Sequence, residues 1–293
     1  MQVVQESAEH HFLTLLEKMK TSPAGWVGIH CAFSRRIDHD SLISDLSTLN
    51  ARLAQTHEDS RSFMMELMQK AGAFNEAVIY QFADSDLLLL ARPVNDQDHD
   101  EFYTLFKALS TGMKAGLVDY INFGREMMGA QKLADRKFLA QKRMEAYSAM
   151  TDANRISSIG VRRARRDHAL VLIVEDDRFT ATYTSNILNK TYDLVLAKTG
   201  EEAVISYVEH APDIVFLDIH LPGLNGLETL HSIRQVDPEA HVVMLSVDTV
   251  KANIVTATNR GAAAFLKKPF SKERLLALVE KSPFIKGSKV AHG

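Results

Sequence analysis

Five polar residues in the C-terminal part of this 293-residue sequence stand where chemistry can be done: Glu175, Asp176, Asp218, Ser246 and Lys268. Each ends or directly follows an apolar run. ALVLIV (169–174) precedes Glu175 and Asp176, DIVFLD (213–218) ends on Asp218, HVVMLS (241–246) ends on Ser246, and AAFLK (263–267) precedes Lys268. Continuous apolar runs of this kind belong to parallel strands buried on both faces. An open parallel sheet holds its ligands outside the carboxyl ends of its strands. Three carboxylates gathered there would repel and raise one another's pKa. A hard divalent cation removes that conflict, and carboxylate and carbonyl oxygens suit Mg2+. Lys268 adds a positive charge and Ser246 a hydroxyl donor. A carboxylate nucleophile in this company is equipped for phosphoryl transfer, with an aspartyl phosphate as the product. Acids after a strand also cap the next helix, which is the role expected of Asp177 before the stretch from Arg178.

The elements that must position these residues alternate. A fifth apolar run, YDLVLA (192–197), joins the other four, and helical stretches are expected at 178–189, 201–210, 227–234, 249–260 and 272–280. Strands alternating with helices give a doubly wound, five-stranded parallel sheet of the α/β class, flavodoxin-like in type.

The motifs VLIVEDD (171–177), PDIVFLDIHLPGLNG (212–226), VMLS (243–246) and GAAAFLKKPF (261–270) resemble the receiver domains of bacterial two-component response regulators, of the CheY-like kind. The resemblance places a receiver at 168–285 and implies that Asp218 takes a phosphoryl group from a histidine kinase or phosphotransfer protein. It implies that Asp176 binds Mg2+ directly and Glu175 through water, with the backbone carbonyl of His220 completing the shell. Lys268 would contact the phosphoryl group across a cis peptide to Pro269. Ser246 and Phe265 match the family's switch pair. Val247 departs from the small residue usual after the serine, and with Asp248 it stands where the family tunes phosphoryl lifetime. On this reading the chain is a switch and not an enzyme beyond its own phosphoryl transfer and dephosphorylation, and it acts on an unidentified downstream protein. The tail 286–293 leaves little room for an output domain after the receiver, so output falls to the receiver surface or to what precedes it.

The first 122 residues read as an α+β domain: helix 7–20, strand 26–33, helix 38–68, a hairpin of 74–82 and 87–94 around Ala83-Asp84-Ser85-Asp86, and helix 98–109. This order resembles a degenerate GGDEF or nucleotidyl-cyclase-like palm. The glycines that let phosphate approach a backbone are missing from the turn, and the end of the first strand, Ala32-Phe33-Ser34, offers no acid. Asp84 and Asp86 are therefore expected to be turn formers, and the domain to serve sensing or dimerisation; retained nucleotide binding or turnover is the alternative. His10 and His11 read as surface helix positions.

Residues 123–167 read as a helical linker with eleven lysines and arginines against five acids, a net charge of +6. Met127, Met128, Leu133, Phe138, Leu139 and Met144 give it an apolar surface that wants a partner, either a second copy in a homodimer or the chain's own N-terminal domain. VRRARR (161–166) is basic enough to raise nucleic-acid binding as an alternative, but no aromatic residues are interleaved, and a solvated linker or a face for an acidic partner is the expectation. The whole chain carries a net charge of −3, is 46% hydrophobic and has one cysteine, Cys31, which fits a reducing, cytoplasmic setting. No apolar run approaches the length of a membrane span.

Overall fold

The computed structural model describes residues 1–21, 25–72, 74, 76–247 and 251–285, with 251–253 in backbone only. Asp248 and the tail 286–293 lie outside the described residues. The chain divides into two compact units: Met1–Leu42 with Thr48–Met144, and Ile43–Ser47 with Glu145–Gly293.

Unit 1 follows the order β1 (Gln2–Val4), α1 (Ala8–Thr21), β2 (Val27–Cys31), a 3-10 turn at Phe33–Arg36, α2 (His39–Ile43), α3 (Leu46–Ala71), β3 (Ala77–Gln81), β4 (Leu87–Ala91), α4 (Asp96–Gly112), β5 (Val118–Asn122) and α5 (Met127–Met150). Its sheet runs β1-β3-β4-β2-β5, antiparallel except where β1 joins β3. The segment from β2 to β5 is thus a split βαβ arrangement. Both faces are covered, which explains the unbroken apolar run of β4. Leu87, Leu89 and Ala91 pack with Met64, Leu67 and Phe102 from α3 and α4. Leu88 and Leu90 pack with Phe12 and Leu16 of α1 and with Ala130, Leu133 and Ala134 of α5.

Four expectations change here. The short β1 and the alternating β5 join the sheet although neither was expected. The division placed after residue 122 is not structural, because α5 contributes to the unit 1 core and the unit runs on to Met144. The apolar side of the linker is therefore partly occupied by the chain's own N-terminal unit: Leu133 is buried and Met127 packs against the same core, whereas Phe138, Leu139 and Met144 are half-buried and Met128 is exposed. Finally, Asp84 and Asp86 are more than turn formers. Both are buried, and Lys137 of α5 sits between them as an ion-pair partner, 2.8 Å from Asp84 Oδ2. Asp86 also accepts from the Ser34 amide (2.7 Å) and faces His30 Nε2 at 3.0 Å. Burial pushes the Asp84 carboxyl up, whereas at Asp86 the hydrogen bond to His30 and the charge of Lys137 outweigh burial and hold it well down.

The other ring nitrogen of His30 faces Asp119 at the sheet edge, which also pairs with Arg35 at 2.7 Å. The bond to His30, against burial and with help from Arg35, brings the Asp119 carboxyl from 3.8 to about 2. A depressed carboxyl pKa contributes stability that is present above its unfolded value and lost as pH falls through the folded one. Asp119→Asn should therefore flatten the acid limb of unit 1 stability between 3.8 and about 2. Denaturation midpoints measured across that range check this; an unchanged slope would exclude the contribution.

Unit 2 contains α6 (Ala153–Ser157), α7 (Ile159–Ala164), β6 (Leu170–Val174), α8 (Arg178–Leu188), β7 (Asp193–Ala197), α9 (Gly200–His210), β8 (Ile214–Asp218), α10 (Gly226–Val236), β9 (Val242–Ser246), α11 (Lys251–Asn259), β10 (Ala264–Lys267) and α12 (Lys272–Val279). Its strands are all parallel in the order β10-β9-β8-β6-β7. The central strands β6, β8 and β9 are buried along their whole length, as their apolar runs predict. Side-chain caps start the helices: Asp177, as expected, for α8, and also Thr199 for α9, an Asn225–Glu228 capping box for α10 and Ser271 for α12. The basic run 161–166 is not a solvated linker. Arg163 is 3% exposed, and Arg162, Arg163 and Arg166 all bond to groups within unit 2.

Candidate functional site

The sheet order decides where the site lies. The chain leaves β6 for β7 on one side and returns to β8 on the other, so a crevice opens beyond the carboxyl ends of β6 and β8. Val174 pairs in register with Leu217, which sets Glu175 beside Asp218. Lys267 pairs with Ser246, and the Lys268 amide donates to the Ser246 carbonyl at 2.8 Å, so the lysine starts from the next strands across.

Glu175, Asp176 and Asp218 each bring a carboxylate oxygen to within 4.8 Å of the others. Lys268 Nζ lies 2.5 Å from Glu175 Oε2 and 3.1 Å from Asp218 Oδ1. Glu175 and Asp218 are buried, Asp176 is exposed, and Ser246 is buried at the end of β9. One ammonium against three carboxylates leaves a negative site. Its cost shows at Glu175, whose carboxyl is pushed up chiefly by burial, with the neighbouring Asp218 adding to it and the Lys268 hydrogen bond opposing it. Glu175 Oε1 is buried with no hydrogen-bond partner among the described residues. A carboxylate set with an orphaned buried oxygen and a net negative charge fits a hard divalent cation of the Mg2+ type.

The loop after Asp218 is held tightly. Asp218 Oδ1 accepts the Ile219 amide at 2.8 Å, and the Gly226 amide returns to the Ile219 carbonyl at 2.9 Å. Gly226 must be glycine: a Cβ there would stand 2.1 Å from the Asp218 carbonyl oxygen. His220 lies exposed in this loop, two residues past Asp218. The Lys268–Pro269 peptide is cis. Phe265 is half-buried on β10, in register with Met244. Val247 is 60% exposed.

Glu201 escaped the sequence reading. It is fully buried in the first turn of α9, and its Oε1 accepts the Leu224 amide at 3.0 Å inside the loop after Asp218. Acids in a first turn are ordinarily partners of the helix dipole, and the neighbouring Glu202 does only local work on the Lys198 amide. Two adjacent glutamates look alike until the fold buries one of them.

Residues 171–280 match the family model for the response regulator receiver domain. The chemotaxis protein CheY of Listeria monocytogenes is 41% identical over 114 residues, which cover 38% of this chain and 96% of that protein. CheY of Bacillus subtilis is 35% identical over 114 residues, covering 38% of this chain and 95% of it. Among solved structures, the receiver domain of NtrX from Brucella abortus is 34% identical, covers 38% of this chain and 96% of that one, and has a TM-score of 0.37. The chain belongs to the two-component response regulators and carries their receiver domain over residues 171–280.

Proposed function

We propose that Asp218 is the phosphoacceptor of a phosphorelay switch, loaded by a histidine kinase or phosphotransfer protein. The convergence of Glu175, Asp176 and Asp218 within 4.8 Å, with Lys268 3.1 Å from Asp218, carries this reading. A carboxylate oxygen of Asp218 forms the new bond to phosphorus, and the bond from phosphorus to the donor atom breaks with its electron pair leaving on the donor. Mg2+, when bound, supplies positive charge to the phosphoryl oxygens. Asp176, exposed at the mouth, would ligate the cation directly, Glu175 would reach it through water and His220 would offer its backbone carbonyl. Lys268 neutralises charge on the acceptor side and is freed from the Asp218 carboxylate to meet the incoming phosphoryl group. Ser246 and Phe265 supply the response, since a phosphoryl group adds roughly −1.5 to −2 charges and strong acceptors to the end of β9.

Unit 1 fits a sensory or scaffolding role rather than nucleotide turnover. The acids of its hairpin turn, the position where a palm enzyme would bind metal, are already engaged by the Lys137 ammonium, and Asp86 also by the His30 ring. No helix among the described residues is long and apolar enough to cross a membrane.

Metal titration by calorimetry tests the site. Asp176→Ala should abolish Mg2+ binding, because it removes the direct ligand. Lys268→Ala should keep most of the affinity, yet block the conformational response to a phosphoryl mimic. Equal Mg2+ affinity in wild type and Asp176→Ala would overturn the assignment.

A further inference from the structure

Helix α9 is gripped at both ends by side chains that the phosphoryl chemistry does not use. At its first turn Glu201 holds the Leu224 amide, and a Cβ on Gly223 would stand 2.2 Å from Glu201 Oε2. Those two residues belong to the loop that starts at Asp218 and closes through Gly226, whose approach to the Asp218 carbonyl leaves no room for a side chain. From Asp218 to the Glu201 carboxylate there is thus an unbroken packed path.

At the other end, the last carbonyls of α9 have no intrahelical donors. Arginines of α7 and its C-terminal flank take them. Arg162 donates to the carbonyls of Val208 and Glu209, each at 2.7 Å. Arg166 donates to those of His210 and Ala211. The buried Arg163 donates to the Pro212 carbonyl at 3.0 Å, to the Tyr207 hydroxyl at 2.8 Å and to Asp237, past the end of α10, at 2.6 Å. Its guanidinium also lies 4.1 Å from the ring centre of Phe284. Three guanidinium groups at the negative end of one helix make a strong electrostatic match. Their planar forks allow less slack than lysines would.

We propose that α9 is a coupling rod: Glu201 ties its first turn to the loop behind Asp218, and Arg162, Arg163 and Arg166 transmit its displacement to the helical segment 153–166. This rests on Asp218 being the phosphoacceptor. It adds a second exit from the site, separate from Ser246 and Phe265. An eleven-residue helix spans about 16 Å as one stiff body, so a shift at Glu201 arrives at the arginines instead of being absorbed between them. Glu201 is a positioning residue here, and it acts on the acceptor through the loop.

Hydrogen exchange on the full chain, read by mass spectrometry with and without acetyl phosphate and Mg2+, tests the rod. Intact mass measures loading in the same samples. In the wild type, loading should change exchange in 153–166 by about fivefold. Arg162→Ala combined with Arg166→Ala should load as well as the wild type yet lose that change. Both residues are partly exposed, so this variant should fold even if a substitution at the buried Arg163 does not. A purely structural role would alter the basal exchange of the variant but not its response to loading. Wild type that gains the phosphoryl mass with unchanged exchange in 153–166 would overturn the rod and leave the phosphoacceptor assignment standing, as would an undiminished response in the double variant. Wild type that gains no phosphoryl mass would remove the assignment and the rod with it.

Discussion

Asp218→Asn should lose the acid-labile phosphoryl adduct entirely while remaining folded. The side chain is isosteric, and its carbonyl oxygen can still accept the Ile219 amide that Asp218 Oδ1 now holds at 2.8 Å. An amide is not a competent nucleophile toward phosphorus, so the new bond cannot form. Lys268 keeps Glu175 as a partner at 2.5 Å, so its charge is not stranded. Removing one of three crowded carboxylates also relieves repulsion on Glu175, whose carboxyl is raised partly by Asp218. Stability should consequently move by no more than about 1 kcal/mol. Incubation with acetyl phosphate and Mg2+, followed by intact mass measurement, gives the answer. A variant that labels as the wild type does would show that another residue is the acceptor.

The second large effect lies in unit 1. Lys137→Met keeps the aliphatic stem and removes the ammonium, leaving Asp84 and Asp86 buried against each other with His30 as the remaining cation candidate. Breaking a buried ion pair from one side costs about 3–5 kcal/mol, because an uncompensated charge stays behind. The sole tryptophan, Trp26, packs against the unit 1 core, so urea unfolding followed by its fluorescence reports on this unit. Adding Asp84→Asn should restore part of the loss, since it removes the acid that burial already pushes toward its neutral form. Asp86→Asn should restore less, because Asp86 also holds the Ser34 amide and His30. A loss below about 1 kcal/mol for Lys137→Met would place the pair among those that contribute little.

The receiver was legible because its signals are local. Each central parallel strand buries both faces and so reads as a continuous apolar run, and each polar residue picked out sits at the end of such a run or within two residues past it. Glu175, Asp176, Asp218, Ser246 and Lys268 could be picked out before any strand was paired. The meeting of Glu175, Asp176, Asp218 and Lys268 needed the strand order alone, and a doubly wound sheet fixes that order within narrow limits. The short β1 and the half-buried β5 carry no such run, and only pairing with β3 and β2 makes them strands.

Tertiary structure decided what charges do when their partners are far along the chain. Lys137 lies 53 residues from Asp84 and 51 from Asp86, and on sequence it is one more basic residue in a basic helix. The arginines at 162–166 read as a solvated patch until their partners, 44 to 74 residues away, came to lie beside them. Glu201 and Glu202 differ only in which side of α9 meets the loop after Asp218. Hydrophobic periodicity records which face of an element is buried. It does not record which buried face meets which charge, because that is settled by how separate elements pack.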